Sequence, residues 1–280
     1  MSSLKGLNVI ITGASTGIGK GIAIAFASAG ANLVLASRDE KKLSIVAGTP
    51  KKLGSSVLVV PTDVTVEAQV VKLFATTMDS FNSVDVLVNN AGTFDGGPLE
   101  DIKLETWKKV VDLNLTAPFL CTKSAMKIMN QQSSGKIINI GSISAEMPRM
   151  NSAPYTSTKH ALVGLTKSTS LEGRDFGISA SCLNPGNIKT EWRQKPEVAM
   201  NQEAMMEVED FANIVVTVAS LPTNVNMLSA TILPVEQAFI GRGGSSFYLL
   251  ACMFILLGEG IIVSMAIAKA VIEIHPQKTR

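Results

Sequence analysis

Leu7-Asn8-Val9-Ile10-Ile11, running into Thr12-Gly13-Ala14-Ser15-Thr16-Gly17-Ile18-Gly19, decides the fold. The first five residues read as a short buried strand, being a mostly apolar run that ends at a turn signal. A glycine-rich turn follows, and Lys20 to Ser28 reads as a helix. Strand, glycine turn and helix in that order make a seat for a dinucleotide. Gly13 permits the tight turn, Gly17 lets the backbone approach a pyrophosphate, and Gly19 allows the helix to pack closely on the strand. The helix N-terminus adds free N–H groups and the positive end of its dipole.

A second stretch, Tyr155-Thr156-Ser157-Thr158-Lys159, with Ser142 thirteen residues upstream, supplies a phenol, a cation and a hydroxyl. On a helix, Tyr155 and Lys159 stand one turn apart on one face. An ammonium held there favours the phenolate and lowers the tyrosine pKa from its reference of about 10 toward working pH, where proton transfer is most efficient. Tyr155 is therefore the candidate general acid/base.

With both motifs present, the chain resembles the short-chain dehydrogenase/reductase family from about Leu4 to about Gln237. The likeness includes Thr62-Asp63-Val64, Asn89-Asn90-Ala91-Gly92, Asn114 in Val111-Asp112-Leu113-Asn114, Ser142 in Ile140-Gly141-Ser142, and Asn184-Pro185-Gly186 followed by Thr190. The resemblance implies that Tyr155 exchanges a proton with the substrate oxygen while a nicotinamide exchanges a hydride with the same carbon. It further implies that Lys159 also binds the nicotinamide ribose, that Ser142 orients the carbonyl, and that Asn114 holds a water linking Lys159 to solvent. Plainer roles stand beside these: Asn114 satisfying backbone at a helix irregularity, and Ser142 capping a turn. On the cofactor side, the resemblance implies Gly13, Ser15, Thr16, Gly17, Ile18 and Gly19 at the pyrophosphate. Asp63 and Val64 would border the adenine, and Asn90, Ala91 and Gly92 the adenosine ribose. Pro185 and Gly186 form the turn from which Ile188 and Thr190 reach the nicotinamide carboxamide.

Cofactor choice turns on the end of the second strand, Asn32 to Ala36, where Ser37-Arg38-Asp39 follows. A carboxylate at the strand end binds the ribose 2′-hydroxyl of NAD and repels a 2′-phosphate. Ser37 occupies that position, and its hydroxyl with the Arg38 guanidinium can receive the phosphate. NADP(H) is therefore preferred over NAD(H). In the competing reading Asp39 is the ribose carboxylate, although Asp39-Glu40 also suits the start of the next helix.

At 280 residues and 46% hydrophobic composition, the chain can bury a full core. Strands alternating with helices predict a single α/β domain, a Rossmann-type doubly wound parallel sheet, over residues 1–243. A net charge of +2 gives no basic stripe for nucleic acid. Cys121, Cys182 and Cys252 are widely spaced and odd in number, which suggests neither a disulfide framework nor a metal site and predicts reduced, mostly buried thiols. Met1 to Gly6 leaves no room for a signal peptide before the first strand, so the catalytic part is expected to face the cytosol. A homo-oligomer is expected.

Three stretches depart from this scheme or extend it. Ala47-Gly48-Thr49-Pro50 should end or break the helix after Arg38. Glu191 to Phe211 occupies the place of the variable substrate loop, with Trp192, Met200, Met205 and Met206 either lining a site for a greasy substrate or packing the loop on the body. After the glycine-rich joint Gly241 to Ser246 comes the apolar run 247–268, within a tail of 244–280. Its length suits a membrane span, which needs roughly 20 mainly apolar residues. Glu259 between two glycines is the objection. A membrane anchor with a cytosolic catalytic domain and a wholly cytoplasmic protein whose tail packs on protein are the two alternatives. For function, a carbonyl reductase or alcohol dehydrogenase stands first. A 3-oxoacyl thioester reductase shares every catalytic residue, and a non-catalytic dinucleotide sensor has no chemical need for all four.

Overall fold

The computed structural model describes residues 4–191, 204–237 and 239. The run 247–268, Cys252, Trp192 and Met200 lie outside the described residues, and Met1–Gln237 forms one compact unit.

Seven strands form one parallel sheet: β1 (Asn8–Thr12), β2 (Asn32–Ser37), β3 (Val57–Pro61), β4 (Val86–Asn89), β5 (Gly135–Ile140), β6 (Ile178–Pro185) and β7 (Ser229–Ile232). Their spatial order is β3-β2-β1-β4-β5-β6-β7. The order reverses between β1 and β4, and a crevice at such a switch point is where open α/β sheets bind ligands. The connections carry α1 (Gly17–Ser28), α2 (Glu40–Lys52), α3 (Glu67–Phe81), α4 (Leu104–Val111), α5 (Ala117–Gln132), α6 (Ala153–Gly173) and α7 (Val208–Ala219).

Both faces of the sheet are covered, so β1 is buried throughout rather than alternating. Its side chains still obey the strand period of two. Val9 and Ile11 join Ile22 and Phe26 of α1 and Phe211 of α7, whereas Ile10 joins Leu73 of α3 and Leu120 and Met129 of α5 on the other face.

The expected break at Gly48 and Pro50 does not occur, since α2 continues to Lys52. Pro50 lies in the last turn, where its lack of an N–H removes only one bond and its ring is buried. The stop comes from Gly54 instead. With φ +90, it lets its own N–H bond the Lys51 carbonyl at 3.0 Å and brings the Ser55 N–H to the Pro50 carbonyl at 3.1 Å. Those two bonds form the Schellman closure, which satisfies the carbonyls a helix end leaves open.

Candidate active site

The glycine turn leaves β1 with no space for a side chain at Gly13 or at Gly19. A β-carbon on Gly13, itself at φ +65, would stand 2.8 Å from the Ala91 Cα, and one on Gly19 would overlap the Gly13 carbonyl oxygen. Asn90 seals the same turn by donating through Nδ2 to the Thr12 carbonyl at 2.9 Å and the Gly13 carbonyl at 3.2 Å. Beside this turn opens a cleft of about 1410 Å³. Its lining includes Gly13, Ser15, Thr16, Gly17, Ile18, Gly19, Ser37, Arg38, Asp63, Val64, Asn90, Ala91, Gly92 and Thr190. Pro185, Gly186, Ile188 and the four candidate catalytic residues lie outside that lining.

At the far end of the cleft, Asp39 caps α2. Its carboxylate accepts the Lys42 N–H at 3.0 Å and pairs with the Lys42 ammonium at 3.4 Å. Hydrogen bonding from the Lys42 backbone, opposed by burial and aided by the Lys42 ammonium, holds its carboxyl below the ordinary aspartate value. Asp63 is held low chiefly by the Thr65 hydroxyl; burial opposes, and the Thr65 N–H and the Arg38 charge add to the lowering. The Thr65 hydroxyl bond to Asp63 measures 2.6 Å.

The segment after β4 connects the cleft to the catalytic residues. Thr93 lines the cleft, and its backbone exchanges two 2.8 Å hydrogen bonds with the Asn114 amide. Asn114 is fully buried in a π-turn, Asp112–Thr116, between α4 and α5, and it also donates to the Thr158 hydroxyl of α6 at 3.4 Å. Phe94 packs edge-on against Tyr155 with ring centroids 5.2 Å apart. Tyr155 and Lys159 share one face of α6 near its start. Lys159 is 6% exposed; its ammonium donates to the Ile140 carbonyl at 2.8 Å and stands 5.5 Å from the Tyr155 ring centroid. No carboxylate among the described residues pairs with it.

Ser142 follows β5. Its Oγ accepts the Ser144 N–H at 3.1 Å, so it does cap a turn, and its N–H donates to Asn184 Oδ1 at 3.2 Å. The hydroxyl proton is left to give to another acceptor. Pro185 ends β6, and Ile188 is buried and bridges to Met206. Met206 packs against the core, while Met205 is exposed.

Two contacts at this site have no signal in local sequence. Glu191 Oε2 accepts the Gly17 N–H at 3.0 Å, and Oε1 meets Lys20 at 3.4 Å, putting a carboxylate on the helix end expected to bind phosphate. Gln237 reaches the backbone after Pro185. The thiols behave as expected where they are described: burial pushes Cys121 up to about 12 and raises Cys182 as well. Among the described residues no group of His, Cys, Asp or Glu could hold a metal. None of their helices is long and apolar enough to cross a membrane.

A glycine turn with no room for a β-carbon at Gly13 or Gly19, at the switch point of a doubly wound parallel sheet, fits a dinucleotide and defines a Rossmann-type protein. The chain belongs to the short-chain dehydrogenase family, whose sequence model matches residues 7–201. A 3-oxoacyl-[acyl-carrier-protein] reductase of Synechocystis is 36% identical over 74% of this chain and 83% of its own length. An uncharacterised oxidoreductase of Staphylococcus epidermidis is 30% identical over 84% of this chain and all of its own. Among solved structures, a short-chain type dehydrogenase/reductase from Mycobacterium marinum superposes with a TM-score of 0.79 at 30% identity, covering 82% of this chain and 95% of that one. A metagenomic short-chain oxidoreductase in complex with NADP gives 0.74 at 30% identity, covering 83% and 99%.

Proposed function

We propose that the protein is an NADP(H)-dependent oxidoreductase acting between a carbonyl and a secondary alcohol of a small molecule, with Tyr155 as general acid in reduction and base in oxidation. The observation that carries this reading is the Lys159 ammonium, buried without a carboxylate partner among the described residues and fixed beside the Tyr155 ring. Burying an ion without a counter-charge costs several kcal/mol, so stability does not favour it, whereas proton chemistry uses it. A bound nicotinamide supplies or accepts the hydride. Tyr155 gives its proton to the substrate oxygen, and the phenolate that remains faces the Lys159 charge. Ser142, with its proton free, orients the same oxygen. Both ends of the Asn114 amide are engaged, so a water relay at Asn114 would use its backbone rather than its side chain.

The cofactor preference is supported by Ser37 at the end of β2 and by Asp39, whose carboxylate is engaged by the Lys42 N–H and ammonium at the start of α2. Ser37, Arg38 and Lys41 border the same end of the cleft. The Synechocystis relative favours, as a second reading, a 3-oxoacyl thioester substrate. Absorbance of NADPH and NADH with a panel of aldehydes, ketones and a 3-oxoacyl thioester tests all of this. Consumption of NADPH well ahead of NADH is expected, and binding without turnover across the panel would favour a dinucleotide sensor. In this reading the exposed Leu104, Trp107 and Phe119 are side chains that a second copy would cover. The run 247–268 serves as a membrane anchor; carbonate-washed membranes should then retain the full-length chain.

A further inference from the structure

We infer that Gln237 is a positioning residue for the nicotinamide end of the site, acting through the backbone of Gly186 and Asn187. This rests on the dinucleotide reading above. Gln237 follows β7 by a short turn closed by its own N–H on the Pro234 carbonyl at 3.0 Å, and it is 5% exposed. Its Oε1 accepts the Asn187 N–H at 2.7 Å across a separation of 50 residues. Gly186 makes room for this amide, because a β-carbon there would overlap Gln237 Oε1 and stand 3.0 Å from Pro234 Cδ.

The turn after β6 is thereby held from several directions. The Gly186 N–H donates to the Ile232 carbonyl at 2.7 Å, Gln237 takes the Asn187 N–H, and Arg149 Nη2 donates to Asn187 Oδ1 at 2.9 Å. Asn187 is 1% exposed, so loss of Gln237 Oε1 takes a 2.7 Å acceptor from a buried N–H, and the turn must shift to compensate. That turn leads directly to Ile188 and Thr190, the residues expected at the carboxamide. It also follows Asn184, whose Oδ1 takes the Ser142 N–H. A shift there moves the nicotinamide contacts and leaves the adenosine half, on β1 to β4, where it is.

The Gln237 Nε2 is buried and bonds nothing among the described residues, so the working atom is the acceptor. Glu at this position keeps an acceptor and forfeits no existing bond, and because burial disfavours the charged form it enters as the neutral acid, the isostere of the amide. The experiment titrates full-length wild type, Gln237→Ala and Gln237→Glu with NADPH and with 2′-phospho-ADP-ribose, which lacks the nicotinamide, and records each Tm. Gln237→Ala should weaken NADPH by ~10-fold, as loss of one buried acceptor implies, and 2′-phospho-ADP-ribose by less than ~2-fold. Gln237→Glu should restore NADPH affinity. Equal losses for the two ligands, no loss, or failure of Glu to rescue would each overturn the inference. Wild type that binds neither ligand would overturn the dinucleotide reading itself and this inference with it.

Discussion

The two halves of the site recognise by different means. The cleft on β1 to β4 is a mould of backbone: absent side chains at Gly13 and Gly19 admit close approach, and the Asn90 amide closes the turn. The half on β5 and α6 is a set of side chains held by partners distant in sequence: Lys159 on Ile140, Asn114 on Thr93, and Ser142 through Asn184. A mould fails when something is added to it. A side-chain constellation fails when something is taken away, and the two should separate in binding and turnover.

The sharpest separation is Tyr155→Phe. It keeps the ring and its packing on Phe94 but removes the transferable proton. Turnover should fall by roughly 10²-fold or more, the usual span of general acid catalysis, with NADPH affinity within ~2-fold. Single-turnover kinetics beside a binding titration read both, and undiminished turnover would remove Tyr155 as the acid.

Adding one carbon does the converse. Gly19→Ala forces a β-carbon into the Gly13 carbonyl oxygen and the Asn90 amide that seals the turn, so dinucleotide affinity should fall by ~10- to 100-fold, in line with an overpacking strain of about 1–3 kcal/mol. Gly48→Ala is the matched control. It lies inside α2 with nothing within 4 Å of the new carbon, and should instead raise stability by about 0.5–1 kcal/mol. Thermal melts of both variants check the pair; a neutral Gly19→Ala would mean that the mould is softer than its contacts suggest.

Arg38→Ala tests the polar end of the mould. Arg38 is exposed and lies near Asp63, so its removal should leave the fold intact. NADPH should weaken by ~10-fold more than NADH, because a charge-assisted hydrogen bond to the 2′-phosphate is lost only in the former. Equal losses would return the ribose to Asp39.

The mould was legible in sequence and the constellation only partly so, for a physical reason. Backbone that must run at positive φ or against another backbone demands glycine, and the spacing of Gly13, Gly17 and Gly19 announces it. Pro50 is a loud stop signal whose cost is small in a last turn, while the closure of α2 depends on Gly54. Tyr155 and Lys159 are legible because a helix keeps them in register. The Ile140 carbonyl that fixes Lys159, the Thr93 backbone that occupies Asn114, and Gln237 are partners that only the assembled sheet brings together. Glu191 belongs with them, since its bond to Gly17 spans 174 residues.

Glu191 also gives the smallest and finest test of the comparison, because it is a side chain placed on the mould. Thr16 provides α1 with no side-chain cap, and the first turn of α1 holds no acid of its own. The Glu191 carboxylate meets that need from across the cleft, on the N–H of Gly17 and near the Lys20 ammonium. Burial works to raise its carboxyl, but hydrogen bonds from its own N–H and that of Gly17, with the Lys20 charge, outweigh this and hold it below the ordinary glutamate value. It is therefore ionised at neutral pH and would compete with a cofactor phosphate for the same donors. The competition is weak, since the side chain is 61% exposed and water screens the pair. Glu191→Ala should then tighten NADPH by ~2- to 5-fold at low salt, the equivalent of an exposed ion pair worth up to about 1 kcal/mol, and the gain should shrink as salt rises. Weaker binding in Glu191→Ala would mean that the carboxylate helps to seat the cofactor, and the mould would then include at least one side chain it cannot do without.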